Sequence, residues 1–324
     1  MTQKPTIESL IEKKRPRRKI EGIAAALLPF DSSGKIAVEA YQQHVVATHR
    51  AGLANAVNMD TGYVNLLTQA EKAQVLHWTR ECLGPNVPFV AGAFIEDESG
   101  DAVTLYRRKI DAIVAVGATP ILFQSSRLKG KSPAEKAEIY KAACEGFDHI
   151  LAFELSSRFA PNGEIFDAEA FLRLLDIPQI KGMKHSSLDR MLELDRLQVR
   201  DTRRPDFRIY TGNDLGIDMI EYGSDYLLGL ATLAPEKFAE RDRLWESGDP
   251  EYYALSDALQ YLGNVAFREP LPAYKHSAAV FLNLTGRMPT DLPHPASPIR
   301  PPFEIEMLRD CAMRLGLKVN APVS

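Results

Sequence analysis

The fold of this chain is constrained most by an eightfold alternation between short apolar segments and helical patterns. Each apolar segment is four to nine residues long, and continuous apolar runs of this kind are typical of strands buried on both faces. Residues with helical spacing follow the segments along the chain. The segments are residues 22–30, 53–59, 87–94, 119–123, 149–155, 180–184, 207–210 and 226–230.

An alternation of strands and helices predicts an α/β fold, with a parallel sheet whose crossovers are right-handed. Eight repeats favour closure of that sheet into a (β/α)8 TIM barrel, whose active site lies at the C-terminal ends of the strands. The alternative is a doubly wound open sheet, which normally carries a glycine-rich phosphate loop after its first strand. Here that turn reads Leu28-Pro29-Phe30. We therefore predict the barrel.

The strand pattern stops near residue 240, and the rest of the chain predicts helices joined by a proline-rich connector. The N-terminal residues are polar and include a basic run from Lys13 to Lys19, interrupted by Pro16. We predict that this run belongs to a solvated extension. The predicted organisation is an N-terminal extension over 1–20, a barrel over 21–240 and a C-terminal helical segment over 241–324.

Composition excludes several classes of protein. The chain has 39 Lys and Arg residues and 43 Asp and Glu residues, so its net charge is -4. This charge gives no argument for a nucleic-acid partner. No stretch has the roughly eighteen apolar residues of a transmembrane helix, and the N-terminus lacks the apolar core of a secretory signal. The three cysteines are far apart, and the seven histidines show no metal-ligand spacing. We expect a cytoplasmic protein that has no metal or cofactor and no membrane partner.

Lys184 ends the sixth predicted strand, in the sequence Gly182-Met183-Lys184. A lysine at the top of a barrel strand is well placed for amine chemistry, because burial lowers its pKa and the neutral amine can attack a carbonyl to form a Schiff base. On this short motif alone, the alternative is a surface lysine beside Lys181.

The order of motifs along the chain resembles the dihydrodipicolinate synthase and N-acetylneuraminate lyase family of class I aldolases and lyases. The resemblance runs from about residue 20 to about residue 318. It implies a TIM barrel, a Schiff base on Lys184 and a homodimer or homotetramer. The matching segments are 22–30, 59–63 in the place of Gly-Thr-Thr-Gly-Glu, 90–92, 182–184 in the place of Gly-Ile-Lys, 211–214 in the place of Ser-Gly-x-Asp, and 299–302.

Several positions depart from the family pattern. Phe153 occupies the place of the tyrosine that relays protons to and from the Schiff base, and a phenyl ring carries no exchangeable proton. Asp60 replaces the first of two threonines that hold the substrate carboxylate. Its charge repels that carboxylate unless Asp60 is protonated, turned away or paired with a cation. Tyr63 stands where Glu is usual, and Gln124-Ser125-Ser126 ends the strand that usually carries a tyrosine. These departures disfavour dihydrodipicolinate synthase itself.

The remaining candidates follow from the resemblance and from the strand ends. Asp60, Tyr63 or a water is expected to carry the proton, and Thr61 with nearby backbone N–H groups to hold the carboxylate. Asp60 could equally be a turn residue, and Thr61 a cap of the following turn. The expected substrate-binding residues are Thr61, Gly62, Ser125, Arg127, Phe153, Arg158 and Gly212.

Arg127 and Arg158 each end a Ser-Ser-Arg sequence that directly follows a strand. Arginine binds carboxylates in a bidentate manner, so these residues suit a substrate with a second anionic group, such as a sugar-acid or dicarboxylic 2-oxo acid. The alternative is ordinary polarity of the loops that follow barrel strands.

We therefore predict a Schiff-base-forming lyase, of the aldolase or dehydratase type, that acts on a small 2-oxo acid. The competing hypothesis is a catalytically altered barrel that binds a small anionic ligand.

Overall fold

The structure is a computed structural model that describes residues 11–320. Eight parallel strands form a closed barrel in chain order, and β8 closes it by pairing with β1. The predicted barrel is therefore confirmed. The strands are β1 Gly22–Ala25, β2 Ala54–Val57, β3 Val90–Ala93, β4 Thr119–Leu122, β5 Ile150–Leu155, β6 Ile180–Ser186, β7 Arg208–Thr211 and β8 Asp225–Leu228.

Helices follow the strands and surround the barrel. After β7 the connection is a 3₁₀ helix, Ile217–Tyr222, and not an α-helix. The α-helices are α1 Val38–Ala51, α2 Gln69–Leu83, α3 Ala102–Ala115, α4 Pro133–Cys144, α5 Ala168–Leu175, α6 Arg190–Arg203, α7 Pro235–Ser247, α8 Glu251–Ala266, α9 Tyr274–Leu284 and α10 Glu304–Arg314. Within residues 11–320, no helix is both long enough and apolar enough to cross a membrane.

Local sequence signals fix where several helices begin. Thr68 and Glu71 form a capping box, because each side chain bonds the backbone N–H of the other. Ser132 and Glu135 form a second one, with Pro133 at the first position of α4, where no N–H is needed. These caps satisfy N–H groups that have no partner inside the helix.

The first strand is shorter than its apolar run, because burial extends further than strand pairing. β1 ends at Ala25, yet Leu27, Leu28 and Phe30 are all buried beyond it. The sixth strand is longer than predicted and continues to Ser186. Its extra length carries the chain past Lys184 at the C-terminal end of the barrel.

The core has two layers, one inside the barrel and one between the barrel and its helices. Successive residues of β5 point to different layers, because side chains alternate along a strand. Phe153 lies in the inner cluster and Ala152 in the outer one. The inner cluster consists of Ile23, Ala25, Ala56, Met59, Val64, Val90, Phe94, Ile121, Phe123, Leu151, Phe153, Leu155, Tyr210 and Leu227.

The basic run lies near the N-terminal end of β8, where three of its side chains, Lys14, Arg15 and Arg18, form ion pairs. Arg18 bonds Asp225, the first residue of β8, at 2.9 Å, and Lys14 pairs with Glu221. We expected solvation alone, and the structure adds these ion pairs. Residues 1–10 of the predicted extension lie outside the described residues.

The C-terminal segment packs onto the barrel, and its first residues belong to a helix that begins earlier. The boundary placed at residue 240 falls inside α7, Pro235–Ser247. Arg300 is buried and donates to the backbone carbonyls of Ala266 at 2.9 Å and Glu269 at 3.0 Å. It thereby fixes the loop that leads into α9.

Candidate active site

Lys184 lies on β6 at the C-terminal end of the barrel and is 6% exposed. Its partner on β5 is Phe153, and the Lys184 Nζ lies 4.5 Å from the centre of the Phe153 ring. Burial lowers the pKa of Lys184 to about 8, although Asp214 and Asp60 both act to raise it. A neutral, nucleophilic amine is therefore available close to neutral pH.

Gly212 follows β7 beside the Lys184 side chain. A Cβ atom at this position would lie 2.7 Å from Lys184 Cε and 2.0 Å from Ser186 Oγ. Only glycine leaves room for the lysine to pass. Gly212 was predicted as a substrate-binding residue, and this steric role is what its contacts explain.

Asp214 is a buried carboxyl group that the sequence analysis did not select. The backbone N–H of Leu230 donates to its Oδ1 at 2.7 Å. Burial raises the pKa of Asp214 to about 7, whereas the nearby Lys184 acts to lower it. Its position in Thr211-Gly212-Asn213-Asp214, within a matched motif, was the available signal. The amine thus has a buried carboxyl group as an electrostatic neighbour.

Asp60 begins a short 3₁₀ turn after β2, Asp60–Gly62. Its Oδ2 accepts a hydrogen bond of 2.9 Å from the Tyr274 hydroxyl, and its Oδ1 lies 3.3 Å from Lys275 Nζ. Pairing with a cation was one of three ways in which Asp60 could tolerate a substrate carboxylate. The structure supplies that cation from α9.

Thr61 and Gly62 occupy the same turn. The Thr61 hydroxyl lies 2.9 Å from the Tyr274 hydroxyl, and Thr61 is buried. A Cβ atom at Gly62 would lie 3.2 Å from the carbonyl oxygen of Ala26, so the turn packs tightly against the end of β1. The side chain of Thr61 therefore joins a hydrogen-bonded set that reaches the C-terminal segment.

Tyr63 ends this turn in the left-handed conformation, with φ of 58°. Its ring is fully buried and packs edge-on against Phe30, with the ring centres 5.4 Å apart. Burial raises the pKa of Tyr63 well above its ordinary value. Lys275 Nζ lies 5.4 Å from the ring centre. Its expected role as a proton carrier remains a prediction.

A series of aromatic rings in the inner cluster of the barrel leads to Lys184. The Phe94 and Phe123 rings meet edge-to-face at 5.5 Å, and the Phe123 and Phe153 rings at 4.9 Å. Phe153 lies beneath the Lys184 amine at the end of this series. These rings exclude water from one side of the amine, which is consistent with the lowered pKa of Lys184.

Ser125, Arg127 and Arg158 lie in the loops after β4 and β5. Ser125 Oγ donates to Glu96 at 2.7 Å. Arg127 donates to the backbone carbonyls of Gly100 at 3.1 Å and Ile95 at 3.3 Å, so its guanidinium holds the loop after β3. Arg158 pairs with Glu269, and both side chains are more than half exposed. Among the described contacts, none joins either arginine to Lys184, and anion binding by them remains a prediction.

A buried charged cluster fixes β5 and β6 behind the site. Glu154 accepts from Arg196 Nε at 3.2 Å, from the backbone N–H of Phe166 at 2.9 Å, and pairs with His185. Glu154 and His185 flank Phe153 and Lys184 in the two strands. The cluster therefore holds in register the two strands that place the amine over the ring.

Tyr274 and Lys275 are the site residues that sequence reasoning missed most completely. They begin α9, in the segment predicted only as a helical appendage. The hydrogen bond from Tyr274 to Asp60 spans 214 positions of the chain. No local pattern announces such a contact, because it depends on how the C-terminal segment packs against the barrel.

Cavity size does not identify this site. Two cavities of about 460 Å³ lie on the outside of the molecule, one against α4 and one against the basic run. Neither is lined by Lys184, Asp60 or Tyr274. In the part of the chain from 11 to 320, no group of three or more His, Cys, Asp or Glu side chains is arranged to hold a metal ion.

Comparison with known proteins gives consistent results, although no family model matches the chain. The 4-hydroxy-tetrahydrodipicolinate synthase of Sodalis glossinidius is 28% identical over 257 residues, which cover 77% of this chain and 84% of that protein. The structure of dihydrodipicolinate synthase from Thermotoga maritima has a TM-score of 0.78 at 21% identity, covering 93% of this chain and 99% of the other. The Acinetobacter baumannii dihydrodipicolinate synthase, solved in complex with pyruvate, has a TM-score of 0.77 at 19% identity and covers 93% and 100%.

Proposed function

The chain is a divergent member of the dihydrodipicolinate synthase and N-acetylneuraminate lyase family, and from this premise we propose that it is a Schiff-base-forming lyase acting on a small 2-oxo acid. The observation that carries the proposal is the buried amine of Lys184, whose pKa is lowered to about 8 at the catalytic end of the barrel. The reaction is a cleavage or formation of a carbon–carbon bond, or a loss of water.

In the proposed mechanism the neutral amine of Lys184 attacks the keto carbon. A C–N bond forms, the carbonyl oxygen takes up protons and leaves as water, and a protonated imine remains. The imine is an electron sink, so a bond to the neighbouring carbon can break and leave its electron pair in an enamine. Asp214 stabilises the positive nitrogen, because its own pKa of about 7 leaves it largely ionised above neutrality.

The 2-oxo acid carboxylate is proposed to lie against the backbone N–H groups of Thr61 and its neighbours in the turn after β2, because the Thr61 hydroxyl lies 2.9 Å from the Tyr274 hydroxyl and bonds to it. Lys275 supports this placement because it pairs with Asp60 at 3.3 Å and offsets a charge that would repel the carboxylate. Pyruvate, which the Acinetobacter enzyme binds, is the simplest compound to test. Phe153 supports a reaction other than that of dihydrodipicolinate synthase, since it replaces the usual proton-relaying tyrosine.

The proposal extends to the setting of the enzyme. We propose a cytoplasmic homodimer or homotetramer that uses no cofactor and binds neither nucleic acid nor membranes. The competing function is a barrel that has lost its chemistry and binds a small anionic ligand. Phe153 is the feature that favours this alternative, because a Schiff-base enzyme must move protons.

Borohydride reduction distinguishes the two functions. The protein is mixed with pyruvate or a longer 2-oxo acid, reduced, and examined by intact mass and peptide mapping. We expect one covalent adduct per chain, located on Lys184 and absent from Lys184→Met. Lys181→Met is the matched control, because Lys181 lies on the same strand and donates to the Pro178 carbonyl at 2.7 Å. An unmodified wild-type protein with every 2-oxo acid would exclude the lyase.

A further inference from the structure

Three side chains form a continuous hydrogen-bonded chain at the mouth of the barrel. The Tyr274 hydroxyl donates to Asp60 Oδ2 at 2.9 Å and lies 2.9 Å from Thr61 Oγ1. Since the phenolic proton points to Asp60, the Thr61 hydroxyl donates to the Tyr274 oxygen. Thr61 and Tyr274 are 2% and 3% exposed, so water does not compete for these bonds. The order of the chain is Thr61, Tyr274, Asp60.

The Tyr274 ring is held in place from several directions. It stacks on Phe267 with ring centres 4.4 Å apart, and it meets Phe159 edge-on at 6.5 Å. A Cβ atom at Gly229 would lie 3.2 Å from the ring and 3.1 Å from Thr61 Oγ1, so the backbone after β8 approaches both closely. The hydroxyl therefore has a fixed position between Thr61 and Asp60.

The Tyr274 hydroxyl and the Lys184 amine interact electrostatically with the same two carboxyl groups. Asp60 and Asp214 both act on the pKa of Lys184, and both act on the pKa of Tyr274. Burial raises the pKa of Tyr274 well above its ordinary value, so the phenol keeps its proton in the resting protein. A neutral phenol can pass one proton on while it receives another, which is the property that Phe153 lacks.

We propose that Tyr274 carries the proton of the Schiff-base reaction, as the middle member of a relay from Thr61 to Asp60. This inference rests on the function proposed above. When the C3–H bond of the pyruvate imine breaks, its electron pair forms the C2=C3 bond and the C2=N bond becomes single. The C3 proton passes to Thr61 Oγ1, the Thr61 proton passes to Tyr274, and the Tyr274 proton passes to Asp60. The reverse transfers restore the imine.

The relay is tested in D₂O, where NMR monitors the exchange of the pyruvate methyl protons for deuterium. Borohydride trapping of the imine is measured in parallel. In Tyr274→Phe we expect trapping on Lys184 to persist and exchange to fall by about 100-fold or more. Tyr252→Phe is the matched control, because the buried Tyr252 hydroxyl donates to the Glu221 carboxylate at 2.9 Å on another part of the molecule. We expect it to exchange like wild type.

A second substitution guards against misfolding. Thr61→Val interrupts the relay at its other bond while keeping the shape of the side chain, and we expect the same loss of exchange. In the double variant the loss should not exceed that of either single variant, because one interrupted relay cannot be interrupted again. If Tyr274→Phe does not fold, Thr61→Val decides.

The outcomes separate the two proposals. A wild-type protein that traps no imine overturns the lyase and the relay together. The relay alone is overturned by a different result. In that result the wild-type protein traps pyruvate and exchanges the methyl protons of pyruvate, and Tyr274→Phe or a folded Thr61→Val exchanges them at a rate within about threefold of wild type.

Discussion

Lys184 and Asp214 are both buried ionisable groups. Burial lowers the pKa of Lys184 to about 8 and raises the pKa of Asp214 to about 7. In water the two values lie more than six units apart. The lysine gives up its proton more readily than usual because a buried ammonium loses solvation, and the carboxyl group holds its proton for the same reason. The pair thereby places both ionisations near neutral pH, where each can change during a reaction.

This pair sets the pH dependence of imine formation. Below about pH 8 the ammonium form of Lys184 predominates, so the rate with pyruvate should rise with pH and level off above that value. The Asp214 carboxylate favours the ammonium form, so Asp214→Asn should move the inflection to lower pH. The rate of imine formation is measured by stopped-flow from about pH 6 to about pH 9, a range that includes the pKa values of both Lys184 and Asp214. An inflection that stays in place or moves higher contradicts the assignment.

Substitution of Arg127 or Arg158 by Ala tests whether the substrate has a second anionic group. Loss of a charge-assisted hydrogen bond costs about 1.5–3 kcal/mol, roughly a ten- to hundredfold weakening. We expect at least one of Arg127→Ala and Arg158→Ala to weaken trapping of a dicarboxylic 2-oxo acid while pyruvate is trapped as in wild type. Arg173→Ala, which removes an exposed i,i+4 pair with Glu169, is the control. Equal trapping of both acids by both variants makes the arginines ordinary loop residues.

At the scale of single elements, the loop before α9 matters most for the site. Arg300 is 5% exposed, and its guanidinium bonds the Ala266 and Glu269 carbonyls and lies 3.2 Å from Ser277 Oγ. The resemblance included residues 299–302 but gave no reason for Arg300. The structure gives one, because this side chain ties the end of α8 to the start of α9.

Replacing Arg300 should therefore loosen the element that supplies Tyr274. Arg300→Met leaves buried carbonyls without donors, and we expect a loss of about 3 kcal/mol in the free energy of unfolding. Urea denaturation measures that loss, and the deuterium exchange of pyruvate should slow as well. Arg314→Met is the control, since Arg314 is largely exposed, forms a surface i,i+4 ion pair with Asp310 and lies over the Tyr261 ring. Equal stabilities of the two variants would mean that Arg300 does not anchor the loop.

Sequence patterns predicted elements better than they predicted contacts between them. The eight strands follow from runs of residues that are neighbours in the chain, and all eight are present. The 3₁₀ helix after β7 was missed because its spacing differs little from that of a short α-helix. Lys184 could be selected as a candidate because its motif lies at a strand end. Tyr274 and Lys275 were not, because tertiary packing alone brings them to Asp60.

At the scale of the whole molecule, the resemblance implies a homodimer or homotetramer. Closed symmetric assemblies are the common form of soluble oligomers. Light scattering coupled to size exclusion should give two or four times the chain mass of 36.1 kDa at micromolar concentration. A mass of 36.1 kDa under those conditions would refute the predicted oligomer.

The contact between Asp60 and α9 also orders events during biosynthesis. A ribosome that has just finished β8 has made every strand of the barrel, including the one with Lys184, but has not yet translated Tyr274 or Lys275. The nascent barrel therefore holds its amine while Asp60 still lacks both the cation and the phenol that it contacts in the finished protein. The proposed proton relay can therefore form only after translation of the C-terminal segment, which adds no strand to the barrel.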